Sequence, residues 1–295
     1  MTHVVRETPS PVTDADFAGL CAACLRVQGI TLPASVNVRL TDDEGIRDVN
    51  RDWRGIDRAT DVLSFPAMDL APARTLTDRM LRRSPLFSPE EGAYELGDVA
   101  ISVPRAAAQA GEYGHSARRE TLYLLAHGMF HLMGYDHETP EDRQRMREKE
   151  EQALAMVDAA RDEGAAGLLA ASREAREHAY APYSGFKVGA ALLGKSGKVY
   201  TGCNVENISF GLTNCAERTA LFKAVSEGER EFEAIAIAAQ GTPPWPCGAC
   251  RQALSEFAPA LRVHVTWDGG SADEAGLDAL LPSSFLKFNK DGSHE

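Results

Sequence analysis

Two groups of residues in this 295-residue chain have the types and spacing of metal ligands. The first is HGMFHLMGYDH, where His127, His131 and His137 follow the spacing H-x3-H-x5-H. His127 and His131 are four apart and leave a helix from one face. Gly134 can end that helix and turn the chain, so that His137 returns to the same point. Three neutral imidazoles with an open fourth position are the ligand set of a catalytic zinc. Solvated surface histidines rarely cluster this way, and three of the chain's eight lie within these eleven residues. The spacing coincides with the zinc-protease pattern H-E-x-x-H-x-x-G-x-x-H, but Gly128 stands where a protease needs its proton-accepting glutamate. A metal site is expected; peptide hydrolysis loses its base.

The second group is CAE at 215–217 with PCGAC at 246–250. Zinc deaminases carry [H/C]-x-E followed by P-C-x-x-C, with the first group and both later cysteines on the metal. Cys215, Cys247 and Cys250 are then three thiolate ligands. Both segments begin predicted helices, whose positive ends favour the deprotonated sulfur. Glu217, two residues past the first ligand, is placed to shuttle protons rather than to ligate. Arg218 and Arg251 each follow a ligand motif and could draw electron density from sulfur by hydrogen bonding. A purely structural zinc wants a fourth protein ligand, and the one candidate, Cys203, lies in a different strand motif.

The elements that must position these groups read as α/β throughout. Strands are expected at 36–40, 61–66 and 96–103, with helices at 42–54, 117–135 and 141–157. Residues 68–95, with several prolines and little periodicity, read as a long mobile loop. DAARDEGAAG (158–167) reads as a linker between domains at 1–157 and 168–295. Beyond it come a helix at 168–180, strands at 186–193 and 199–206, a helix from 215, a strand at 232–240, a helix at 248–258 and a strand at 262–267. Each domain is expected to be a mixed sheet covered by helices. The CAAC pair of Cys21 and Cys24 reads as packed core thiols, His115 as solvated, and Trp53 and Trp245 as packing residues. The arginines at 47, 51, 54 and 58 read as a solvated helix face.

Composition sets the outer limits. With 44% hydrophobic and 25% charged residues, the chain is neither a disordered tail nor a disulfide scaffold. A formal charge of −12, with acid in excess in both halves, opposes purely electrostatic nucleic-acid binding. No apolar stretch suggests a membrane span or signal peptide, and the cysteine usage suggests a reducing, cytoplasmic setting.

The first histidine motif, together with NRDWRGIDRATDVLSFP (50–66) and LGDVAIS (96–102), resembles the YbeY family over roughly residues 10–155. That resemblance implies a metal-dependent, single-strand-specific endoribonuclease in 16S rRNA 3′-end maturation and ribosome quality control. It implies zinc on His127, His131 and His137, Arg54 facing a scissile phosphate, and rRNA or a ribosomal subunit as partner. A surface ion pair of Arg54 with Asp52 or Asp57 is the plain alternative for that residue.

YAPYSGFKVGAALL (180–193), CNVENISFGLTNCAERTAL (203–221) and PWPCGACRQAL (244–254) resemble the tetrameric, three-cysteine type of cytidine deaminase from about 168 to 290. The resemblance implies a three-layer α/β/α fold, one zinc, and hydrolysis of cytidine and deoxycytidine to the uracil nucleosides. By it, Phe186 stacks on the pyrimidine, Asn204 and Glu206 bind ribose hydroxyls, and Ala216 supplies backbone contacts to the base. Glu217 is then the catalytic acid/base, and Phe285 reaches a neighbouring subunit's site. Three functions therefore compete: a bifunctional hydrolase, a deaminase fused to a non-catalytic ribosome-binding or oligomerisation module, and a metalloprotease–deaminase fusion opposed by Gly128.

Overall fold

A computed structural model describes residues 1–71, 74–270 and 272–285. The chain divides into two compact units, Met1–Ala160 and Arg161–Glu295. The first contains β1 (Thr2–Arg6), α1 (Asp14–Gln28), β2 (Ala34–Thr41), α2 (Asp43–Arg54), β3 (Val62–Pro66), α3 (Asp78–Leu81), β4 (Phe87–Ser88), β5 (Ala93–Ser102), α4 (Val103–Tyr113), α5 (Ala117–Leu132) and the first part of α6 (Pro140–Glu177).

Its sheet has the order β1-β2-β5-β3, with β1, β2 and β5 parallel, and with β3 and the short β4 antiparallel to β5. The period-two pattern of β2 sends Val36, Val38 and Leu40 into a core with Phe17 and Leu20 of α1 and Leu125 and Met129 of α5. On the opposite face Ile46 of α2 packs with Leu63 and Ala100. Local signals frame the helices. Thr13 and Asp16 form a capping box on α1, and the Asp42 side chain caps α2, which stops at left-handed Gly55.

The segment 68–95 differs from the expected mobile loop. It carries α3, β4 and the start of β5, and it inserts Leu76 and Leu81 fully into the core. Single leucines between prolines have no period to detect, yet each fills a hole in the packing. β1 and α4 also lie in segments without a clear periodic pattern.

The second unit holds residues 161–177 of α6, then β6 (Val188–Gly194), β7 (Val199–Cys203), α7 (Ala216–Ser226), β8 (Phe232–Ala239), α8 (Gly248–Ser255), β9 (Arg262–Trp267), β10 (Asp273–Gly276) and α9 (Leu277–Leu280). The sheet order is β10-β9-β8-β6-β7, with only β8 and β9 parallel. Ala190, Leu192, Ile235, Ile237 and Val263 face α7 and α8, whereas Ala191, Ala234 and Ala236 face Leu168 and Leu169 of α6. The result is the expected three-layer α/β/α arrangement. The expected linker 158–167 is helical, inside α6. Its four alanines, with Arg161 and Glu163, favour helix by enough to absorb Gly164 and Gly167, which cost about 1 kcal/mol each.

Candidate active sites

His127 and His131 lie on one face of α5, whose N-terminus is capped by the Ser116 hydroxyl. The helix ends at Leu132, Gly134 takes φ +84°, and the amide of Tyr135 donates to the Phe130 carbonyl to close the cap. A Cβ at position 134 would lie 2.4 Å from the Arg74 carbonyl oxygen, so only glycine makes this turn. His137 comes back as expected, and one ring nitrogen of each of the three histidines lies within 4.8 Å of the others.

The Nε2 atoms of His127 and His131 are 3.1 Å apart. His131 Nδ1 donates to the Tyr135 carbonyl at 2.9 Å, and His127 Nδ1 meets Glu150 Oε1 at 2.8 Å. Both Nε2 atoms are therefore lone-pair acceptors facing each other, an arrangement a cation relieves. Tetrahedral zinc with bonds of about 2.0–2.1 Å needs nitrogens about 3.3 Å apart, so the geometry fits a metal. Burial, then the neighbouring His127 and His137, pushes His131 down to about 4, which keeps it neutral for ligation.

Glu150 is only 2% exposed, and the hydroxyl of the half-buried Tyr123 bonds to the same carboxylate. This residue was not foreseen, because it sits in a helix of charged residues that all look solvated. One signal was available: Met146, Ala153, Leu154 and Val157 form a buried stripe, and Glu150 occupies a position on it.

Gly128 explains the missing protease base. Its Cβ would lie 2.7 Å from Val99 Cγ1 on β5, so position 128 is where α5 touches the sheet and has no room for a glutamate. Arg54 ends α2 and has no ion pair among the described residues; Arg51 pairs with Asp52 and Arg47 with Asp57 instead. Its guanidinium lies over the Phe65 ring at 5.7 Å and donates to the Ser64 carbonyl at 3.3 Å. A cavity of about 370 Å³ beside His131 is lined by Pro66, Met68, Asp69, Leu70, Leu132 and Gly134.

In the second unit, Cys215 and Cys247 occupy the N-cap positions of α7 and α8, and neither makes a side-chain cap bond. Cys250 is in the first turn of α8 and buried. The sulfurs of Cys215 and Cys247 are 4.0 Å apart and those of Cys247 and Cys250 are 3.5 Å apart. Zinc–sulfur bonds of about 2.3 Å in a tetrahedron require about 3.8 Å, so these residues also fit a metal. Hydrogen bonding from Cys250 and Arg218 lowers the Cys215 thiol to about 5. Arg218 Nη2 lies 3.7 Å from Cys215 Sγ, whereas Arg251 donates to the Pro246 and Leu280 carbonyls at 2.7 Å each. The expected sulfur contact of Arg251 is therefore not made; its fork ties the Cys247 loop to α9 instead. Glu217 is 5% exposed, and burial, with the Cys215 charge, raises its carboxyl above the usual range. Cys203 donates to the His178 carbonyl and is outside the sulfur group.

The remaining predicted residues surround this point. Asn204 clamps the chain at 186–188, with Nδ2 donating to the Phe186 carbonyl and Oδ1 accepting from the Val188 amide. Glu206 accepts from the amides of Tyr183 and Ser184 and from the Ser184 hydroxyl, which hold it below the ordinary carboxylate range. Both residues thus brace the turn that presents the half-exposed Phe186. Ala216 is buried at the first position of α7, whose unpaired amides are available to a ligand. Phe285 is exposed, and its backbone is held on both sides by the Gln252 amide, a clamp the sequence reading missed. Trp245 packs on the core as expected, but Trp53 does not: it is 77% exposed. Cys21 and Cys24 are core thiols, and burial pushes Cys21 up to about 11. His115 is not simply solvated, since Nε2 pairs with buried Glu120 at 3.1 Å. No helix among the described residues is long and apolar enough to cross a membrane.

A family model described as endoribonuclease YbeY matches residues 7–158, and one described as the zinc-binding region of cytidine and deoxycytidylate deaminases matches residues 164–266. A cytidine deaminase of Sporosarcina psychrophila is 52% identical over 122 residues, which cover 41% of this chain and 90% of that protein. An endoribonuclease YbeY of Acetivibrio thermocellus is 46% identical over 132 residues, covering 44% of this chain and 78% of that protein. The crystal structure of a cytidine deaminase from Burkholderia pseudomallei, 52% identical, covers 40% of this chain and 97% of its own, with a TM-score of 0.39. The chain belongs to the YbeY family through its N-terminal half and to the cytidine deaminase family through its C-terminal half.

Proposed function

We propose that the chain is a bifunctional hydrolase whose C-terminal unit converts cytidine and deoxycytidine to uridine and deoxyuridine, and whose N-terminal unit cuts single-stranded rRNA during 16S 3′-end maturation. The observation that carries the first activity is a buried carboxyl, Glu217, beside three convergent sulfurs at the ends of two helices. Zinc held by Cys215, Cys247 and Cys250 would supply Lewis-acid activation of water. Glu217 would accept one proton of the water and pass it to N3, where uridine keeps it, and would then take the second proton from the new C4 hydroxyl and deliver it to the amine, which leaves as ammonia; a carboxyl raised above its ordinary range suits this role. Phe186 stacks on the pyrimidine, the amides at Ala216 orient the base, and Asn204 and Glu206 reach the ribose hydroxyls with acceptor and donor capacity beyond their present bonds. Arg218 tempers the charge of the thiolates.

For the second activity, a metal on His127, His131 and His137 would supply Lewis-acid polarisation of the phosphoryl group. Arg54, free of carboxylates, would hold the phosphate oxygens bidentately. An assembly of several copies, a tetramer by family, fits the apolar loop of Ile208 (80% exposed), Phe210 (74%) and Leu212 (72%) and the presentation of Phe285 to a neighbour.

The deciding experiment is metal counting on the purified chain followed by cytidine turnover and rRNA-processing complementation. Two zincs per chain, cytidine-to-uridine conversion, and loss of both one metal and complementation in His131→Ala are expected. Full complementation by His131→Ala would reduce the N-terminal unit to a non-catalytic module.

A further inference from the structure

On the face of the first sheet opposite α5 lies a groove of about 520 Å³, within the about 300–1,000 Å³ range of small-ligand pockets. Trp53 and Phe65 form its aromatic wall, their rings 5.8 Å apart and tilted by 52°. Asn37 and Asp98, facing residues on β2 and β5, lie in its lining, with Asn37 Nδ2 donating to Asp98 Oδ1 at 2.8 Å. The paired Arg39 and Glu7 complete the polar side. Trp53 is 77% exposed, a large apolar surface that packing does not explain.

Arg54 follows Trp53 and lies over Phe65. Phe65 lines the groove, and the next residue, Pro66, lines the cavity beside His131. Strand β3 therefore contributes to both depressions, and the Arg54 guanidinium, which has no carboxylate partner among the described residues, lies against that strand over Phe65 and bonded to the Ser64 carbonyl. The groove carries two carboxylates against one paired arginine, so it suits an uncharged ring and not a phosphate.

We propose that this groove is a nucleobase subsite: one unpaired base of single-stranded RNA stacks on Trp53 while its neighbouring phosphate sits at Arg54. The Asn37–Asp98 pair offers an N–H donor beside carboxylate acceptors, and both groups keep capacity beyond their mutual bond. Guanine presents the complementary row, the O6 acceptor next to the N1–H and N2–H donors, so guanine is the preferred base. The inference rests on the RNA reading of the N-terminal unit.

The test is equilibrium binding of the zinc-loaded full chain to short oligouridylate with and without one guanine, across a range of salt. Trp53→Ala lowers affinity about tenfold, as expected for one lost base–aromatic stack. The slope of affinity against salt stays unchanged, because stacking releases no counterions, whereas Arg54→Ala reduces that slope. Asp98→Asn removes the preference for the guanine-containing strand. Zinc content of Trp53→Ala and Asp98→Asn stays at the wild-type level, which separates the groove from the metal centre. Unchanged RNA affinity in Trp53→Ala, no preference for guanine in the wild type, or loss in Trp53→Ala of a ribosomal-protein contact with RNA binding intact would overturn the subsite. RNA that is bound through the groove but never cut would instead count against the nuclease reading alone.

Discussion

At the scale of single residues, a buried carboxyl lies beside each candidate metal group, Glu150 on His127 and Glu217 next to the sulfurs. Glu217→Gln keeps the volume and the hydrogen-bonding reach of the side chain but cannot exchange a proton. Acid/base groups contribute about 10²–10⁴-fold to rate, so the variant is expected to retain zinc and lose cytidine turnover by at least that factor. Substantial uridine formation would remove Glu217 from its role. Glu150 acts on His127 from the far side of the ring, setting Nδ1 as the donor and Nε2 as the free lone pair. Outer partners of this kind are worth about 10–100-fold in metal affinity. Glu150→Ala should weaken zinc binding at the histidine site by that amount, and Glu150→Gln, which keeps an acceptor, by less. Competitive chelator titration reads both, and equal affinity in all three proteins would make Glu150 a packing residue only.

At the scale of elements, α5, which carries His127 and His131, lies close against β5. Gly128→Ala puts a methyl 2.7 Å from Val99 Cγ1, and overpacking of this kind costs about 1–3 kcal/mol. Chemical denaturation should show that loss, and Val99→Ala in the same chain should recover part of it. A simple sum of the two single effects would disprove the contact. Helix α5 is also tied to α1 by Arg118 Nη2 and Asp16 Oδ1 at 2.6 Å. Burial works to raise the Asp16 carboxyl, but the hydrogen bond and charge of Arg118 outweigh it and hold it below the usual range. A carboxyl depressed in the folded state stabilises above its unfolded pKa of about 3.9 and loses that contribution as pH falls through the folded value. Arg118→Ala should therefore cost about 1–3 kcal/mol near neutrality. The gap to wild type should narrow below about pH 4, and a gap that widens there would contradict the assignment.

At the scale of the whole molecule, each unit has its own sheet, core and candidate metal site. Independent folding is expected, with the place to cut set by α6. Leu168, Leu169 and Ser172 of that helix are buried with the second unit's sheet, and Arg161 pairs with Glu274 on β10. Residues 161–295 expressed alone should fold, bind one zinc and deaminate cytidine near the full-length rate. A fragment starting at 166 loses the Arg161 contact and the first helical turn, and should be less stable. A soluble, zinc-loaded but inactive 161–295 fragment would show that the N-terminal unit organises the deaminase.

The short motifs were legible because metal chemistry restricts both residue type and spacing. H-x3-H-x5-H lies on one helix and the turn after it, so local periodicity was enough to bring its side chains together; C-A-E and P-C-x-x-C start two different helices, and only their residue types and spacing marked them as one group. The alternation of β2 and the mixed α/β order were readable for the same reason. Long-range contacts were not. Glu150 lies 23 residues from His127 in a helix of charges, and only packing decides which of those charges is buried. Trp53 looked like a core residue by type, yet α2 turns it outward. Arg251 follows its ligand motif as Arg218 does, but a longer reach to the Leu280 carbonyl takes it from the sulfurs. The segment 158–167 had the small and charged composition of a linker, and its alanines carry a continuous helix. Residue type and spacing marked the side chains able to do chemistry, whereas their supporting partners emerge only on packing, because burial and orientation belong to the assembled elements and not to any one segment.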